Sequence, residues 1–149
     1  MRPSLGRTLC AGLASAILLA MGPAGARAEQ ASWNQERVAA IASDLARALE
    51  KLKTSVESDP EQASVLQERR RQGVLVDLRR LTDLSADLAA KLKAGQGLRE
   101  TRPIFDEIRA VRRQARDAGR DLLPPESTAE EIVAARRIFE RLGPYYEGP

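Results

Sequence analysis

The stretch VLVDLRRLTDLSADLAAKL, residues 74 to 92, decides the fold. Val74, Leu78, Leu81, Leu84, Leu88 and Leu92 recur three and four residues apart, which is the period of one helical face and not the alternation of a strand. Asp77, Arg79, Arg80, Asp83 and Asp87 fill the positions between and would face water. A helix with one apolar face needs others to bury it against, and the flanking sequence supplies three.

Upstream, Val38, Ile41, Leu45, Ala48 or Leu49, Leu52 and Val56 form a similar stripe. Ser32 and Gln35 have capping-box spacing at its start, and the helix should end near Glu57. Asp59-Pro60, with Gln62 three residues after Asp59, then signals a new start. The run Glu68-Arg69-Arg70-Arg71-Gln72-Gly73 interrupts the apolar stripe, so a kink or a short separate helix is expected over residues 60–73, before Val74. Gly95-Gln96-Gly97 closes the second helix. Pro103 must lie in the first turn of the third, with Thr101 as its N-cap and Ile104, Ile108, Val111, Ala115 and Ala118 as its buried face. After Gly119 and Leu122-Leu123-Pro124-Pro125, Ser127 and Glu130 suggest a capping box. Ile132, Ala135, Ile138 or Phe139, and Leu142 complete a fourth helix that Gly143-Pro144 should stop.

Four amphipathic helices on short connections predict an all-α fold, an antiparallel up-down-up-down four-helix bundle, with a three-helix core and a loose first helix as the alternative. Residues 29–61 and 124–149 are net acidic, whereas 62–93 and 94–123 are net basic. In a four-membered ring, acidic first and fourth helices would flank basic second and third ones.

The N-terminus reads differently. Arg2 and Arg7 precede an apolar run from Leu9 to Met21, and Pro23 and Gly25 stand ahead of Ala26-Arg27-Ala28. That pattern predicts a cleaved signal peptide over residues 1–28, cut between Ala28 and Glu29, and a single mature domain over 29–149 in the periplasm or medium. The apolar run falls short of the roughly 20 residues that span a bilayer, so no transmembrane segment is expected in the mature chain. Three of the 24 basic residues and none of the 21 acidic ones lie in this leader, so residues 29–149 carry no net charge.

The only Cys and both Met also lie in the leader, and the chain has no His. Thiolate and imidazole chemistry are thereby excluded from the mature domain: zinc, copper and haem sites, Cys or His nucleophiles, and a Ser-His-Asp triad. No metal and no cofactor is expected. A carboxylate pair is the remaining hydrolase logic, and it needs a cleft that a small bundle seldom builds. The expectation is a protein that is not an enzyme.

Two surfaces are candidates for function. In an up-down bundle Trp33, Phe105, Phe139, Tyr145 and Tyr146, which are all the aromatic residues, would gather at one end. They would either receive an apolar ligand or partner helix, or plug the core and pin the C-terminal tail. Arg69, Arg70, Arg71, Arg112, Arg113, Arg116 and Arg120 would gather at the other end, where guanidinium forks suit phosphate or carboxylate groups. Glu57, Glu61, Asp117, Asp121, Glu126, Glu130 and Glu131 would share that end and could neutralise it. No aromatics interleave with these arginines, so nucleic acid is not an expected partner. The reading is an adaptor or chaperone-like module for an envelope protein partner, or alternatively a binding module for an anionic or amphiphilic small molecule such as a lipid head group or cell-wall fragment.

Overall fold

The computed structural model describes residues 32–58, 65–120 and 122–147. The expected leader, its cleavage site, and the Asp59-Pro60 start with Gln62 lie outside them. Four α-helices account for most of the described residues, among which there is no strand. They are α1 (Gln35–Ser58), α2 (Val65–Lys93), α3 (Leu98–Ala118) and α4 (Glu126–Tyr146).

The helix ends differ from the expected caps for tertiary reasons. Asn34, not Ser32, caps α1: its Oδ1 accepts the Arg37 N–H at 2.9 Å. Gln35 is engaged elsewhere, because its Nε2 donates to the carbonyls of Leu92 at 2.7 Å and Gln96 at 2.9 Å, while its Oε1 accepts from Trp33 Nε1 at 3.0 Å. The start of α1 is thus tied to the end of α2. Among the described residues no break precedes Val74: α2 runs unbroken from Val65 through Gly73, and Glu68 accepts bonds from Arg71 Nε at 3.0 Å and Gln72 Nε2 at 2.7 Å across that turn.

α3 begins three residues before the expected cap, with Glu100 accepting the Gly97 N–H at 3.1 Å. Thr101 is instead wholly buried inside the first turn, and its hydroxyl bonds the Gly97 carbonyl at 2.7 Å. Pro125 precedes α4 without a side-chain cap bond, so Ser127 and Glu130 do not form the expected box. Nor does Gly143-Pro144 stop this helix, which continues to Tyr146. Proline in a last turn removes one N–H, and the ladder resumes beyond it with Glu147 N–H to Gly143 O at 3.1 Å. Burial of Tyr145 and Tyr146 outweighs that lost bond.

α1 packs between α2 and α4, and α2 also packs on α3, whereas α3 and α4 touch sparsely. Ser55 at the end of α1 meets Thr128 near the start of α4, with their hydroxyls 2.8 Å apart. Ion pairs join α1 to α2 (Glu57–Arg79, 3.0 Å), α2 to α3 (Arg80–Glu107, 2.6 Å) and α1 to α4 (Lys51–Glu131, 2.5 Å). Among the described residues none joins α3 to α4.

The core follows the leucine stripes: Val38, Ile41, Leu45, Leu49 and Leu52 of α1 meet Leu78, Leu81, Leu88 and Leu92 of α2. Two expected core positions are exposed. Ala118 is exposed, and Ile132 is 43 % exposed at the edge of the gap between α3 and α4. No helix among the described residues is long and apolar enough to cross a membrane.

Candidate functional site

Near the start of α3 and the end of α4 the core is aromatic. Phe105 stacks on Tyr146, with ring centroids 4.2 Å apart, and on Phe139 at 5.4 Å, while Trp33 meets Tyr146 edge-on at 5.7 Å. Thr101 Oγ1 lies 2.9 Å from the Tyr146 hydroxyl. Phe105, Phe139, Tyr145 and Tyr146 are buried and Trp33 is half-buried. The five expected aromatics are therefore mostly interior, and they pin the end of α4 against α3. Burial holds the Tyr146 phenol above its ordinary range.

Towards the α3–α4 turn no aromatic fills the gap. α3 offers Ala115 and Gly119, α4 offers Thr128, Ile132 and Ala135, and a crevice of about 720 Å³ lies between them. Leucines of α1 and α2 form its floor, including Leu45, Leu49, Leu52, Leu78 and Leu81. Leu122 to Pro125 close one end, where Leu123 is 92 % exposed, and Phe139 bounds the other. The size is that of a small-molecule site.

Its ionisable lining has one sign. Arg71, Arg112, Arg116, Arg120 and Arg136 border the crevice, and no Asp or Glu among the described residues does. Four of these come from the expected arginine group; Arg69, Arg70 and Arg113 do not border it. Arg112 is not at the end opposite the aromatics, as expected, because its guanidinium lies 4.4 Å above the Phe139 ring.

The arginines differ in their engagement. Arg71 bonds Glu68 and the Val56 carbonyl, the latter at 3.1 Å; Arg120 reaches Asp117 at 3.4 Å; Arg136 bonds Glu140 at 2.7 Å. Arg116 lies 3.6 Å from Asp117. The Arg112 guanidinium makes no hydrogen bond or ion pair with any described residue. Desolvation lowers its proton affinity, and the neighbouring Arg136 and Arg116 lower it further against an opposing pull from Glu140. A half-buried cation on an aromatic face beside an apolar floor favours an incoming anion.

Sequence reading missed Arg136 and the position of the crevice. The available signal was on α3 and α4: small residues at Ala115, Gly119 and Ala135 on faces where leucine would have closed the gap. Glu57 and Glu131, expected to offset the arginines, pair with Arg79 and Lys51 instead, while Glu61 and Asp121 lie outside the described residues. Among the described residues no cluster of acidic, Cys or His side chains could hold a metal ion. No family model, curated protein or solved structure matches the chain.

Proposed function

We propose that this chain is an exported, non-enzymatic binding module, an up-down-up-down helical bundle that takes an amphiphilic ligand in the crevice between α3 and α4. One observation carries the reading: a leucine-lined crevice whose ionisable lining, among the described residues, is entirely arginine. An apolar floor supplies affinity through burial, and convergent cations at the rim supply orientation. The up-down order is supported by Gln35 at the start of α1 bonding the end of α2, and by Ser55 at the end of α1 meeting Thr128 near the start of α4.

An adaptor that docks an envelope protein through its aromatic end finds less support. Those rings are engaged with one another inside the protein, and little of them remains for a partner. The crevice, in contrast, has exposed apolar edges at Leu123 and Ile132.

The test is native mass spectrometry of the protein recovered from the envelope fraction of its host, followed by displacement of bound anilinonaphthalene sulfonate by dodecanoate. Binding should be lost in Ala115→Phe, which fills the crevice from its half-buried wall, while the circular dichroism spectrum is unchanged. Undiminished dodecanoate binding by a folded Ala115→Phe variant would place the ligand elsewhere and end the proposal.

A further inference from the structure

The dimensions and charge of the crevice narrow its occupant, given the reading of that crevice as a ligand site. We infer that the ligand is a single unbranched alkyl chain ending in a compact oxyanion, carboxylate or phosphate monoester, with its head at Arg112 and its chain along the floor towards the α3–α4 turn.

Width argues for one chain. The floor and wall residues Leu45, Leu49, Leu52, Leu78, Leu81 and Ile108 are each at most 6 % exposed, although they line the crevice. A helix is about 10 Å across and could not reach them without parting α3 from α4. A two-chain lipid meets the same limit. A polymethylene chain is the narrowest apolar occupant and needs the least separation of α3 from α4 to reach the leucines.

Length gives the second constraint. The lining runs from Ile108 to Gly119 on α3 and from Thr128 to Phe139 on α4. Eleven residues at the helical rise span about 16 Å, and the two walls agree. A medium acyl chain matches that span, and a longer one must emerge past the turn.

Charge fixes the polarity. Arg112 sits at the Phe139 end, its guanidinium 4.4 Å above the ring and without an ion-pair partner among the described residues, so its N–H groups are free to donate to an oxyanion. Arg116 and Arg136 flank it, and Glu140 is held on Arg136. A planar fork on an aromatic ring is pre-organised for bidentate bonding to two oxygens, which a hydroxyl or ammonium head cannot offer.

The experiment is calorimetric titration of the purified protein, below micelle concentrations, with octanoate, decanoate, dodecanoate and tetradecanoate. Dodecyl phosphate, dodecanol and dodecyltrimethylammonium provide the head-group comparison. Affinity should rise about fourfold per methylene and then stop rising once the chain outgrows the crevice. Dodecanoate or dodecyl phosphate should bind about tenfold or more tighter than dodecanol, and the tighter of the two identifies the head group.

Arg112→Gln should erase that advantage while leaving dodecanol binding unchanged, and Arg112→Lys should restore part of it. Equal affinity for dodecanol and dodecanoate, or an Arg112→Gln variant that weakens both alike, would overturn the inference while leaving the crevice as an apolar site. Affinity that keeps rising at the same rate through tetradecanoate would also overturn it. Failure of every chain to bind would remove the underlying reading as well.

Discussion

Consider the buried hydroxyl pair of Thr101 and Tyr146, whose proton directions the geometry fixes. Thr101 Oγ1 lies 2.7 Å from the Gly97 carbonyl and 2.9 Å from the Tyr146 hydroxyl. A carbonyl can only accept, so the single Thr101 proton goes to Gly97 and Tyr146 must be the donor to Thr101. The two deletions are then unequal. Tyr146→Phe removes a donor and leaves Thr101 still bonded, for a loss of about 1 kcal/mol. Thr101→Val strands the phenol, which is 1 % exposed, and also deletes the Gly97 bond, for about 3 kcal/mol. In the Tyr146→Phe background nothing is stranded, so Thr101→Val should cost only about 1 kcal/mol. The cycle should therefore show coupling of about 2 kcal/mol, measured by urea unfolding followed by far-UV circular dichroism with unchanged m-values. Additivity within about 0.5 kcal/mol, or a Tyr146→Phe variant less stable than Thr101→Val, would refute the assigned proton direction.

Three further outcomes follow from buried or strained positions. Burial raises the Tyr146 pKa above its unfolded value, so the stability this provides is full below about pH 10 and is lost as pH rises through the folded value; above pH 10, stability should fall less steeply with pH in Tyr146→Phe than in the parent. Ser85 Oγ is buried without a hydrogen-bond partner among the described residues, so Ser85→Ala should raise stability by about 1 kcal/mol, and a loss of that size would mean the hydroxyl is bonded. Gly73 sits inside α2 with nothing within 4 Å of an added Cβ, so Gly73→Ala should stabilise by about 1 kcal/mol, and no gain in the urea midpoint would show that the turn is not helical in solution.

Where the sequence is a good guide, a single helix holds the information. The stripe from Val74 to Leu92 and its counterpart from Val38 to Leu52 set class, length and buried face, because periodicity is local to one element. The misread features depend on a second element. Ser32 loses the cap because Gln35 is drawn to the end of α2. Thr101 leaves the cap for the interior because Tyr146 waits there, and Tyr145 and Tyr146 carry α4 through a proline that otherwise signals an end. Ile132 follows the helical period but stays 43 % exposed beside a crevice that Ala115 and Gly119 also line. A crevice arises from the spacing of two helices, and the period of neither one encodes it.

The same spacing separates the part of the bundle that holds it together from the part available to a ligand. α1 anchors the assembly: it packs on α2 and α4, its start is bonded to the α2–α3 loop, and its end is paired to both neighbours through Glu57, Ser55 and Lys51. α3 is fastened to α4 only between Thr101 and Arg112, through the aromatic stack and the buried hydroxyl pair. Among the described residues the remaining seam has neither ion pair nor ring contact, yet its floor is fully packed by the α1–α2 leucines. A gap of this kind is tolerated because the interfaces beneath it are complete. Filling Ala115 and Ala135 with larger side chains would have buried more apolar surface between α3 and α4. Arg112 would then lose the open space beside Phe139 into which its unpaired guanidinium faces. Small residues on the walls and a cation with no ion pair among the described residues are therefore two aspects of one arrangement, and this joins the packing of the bundle to the proposed site.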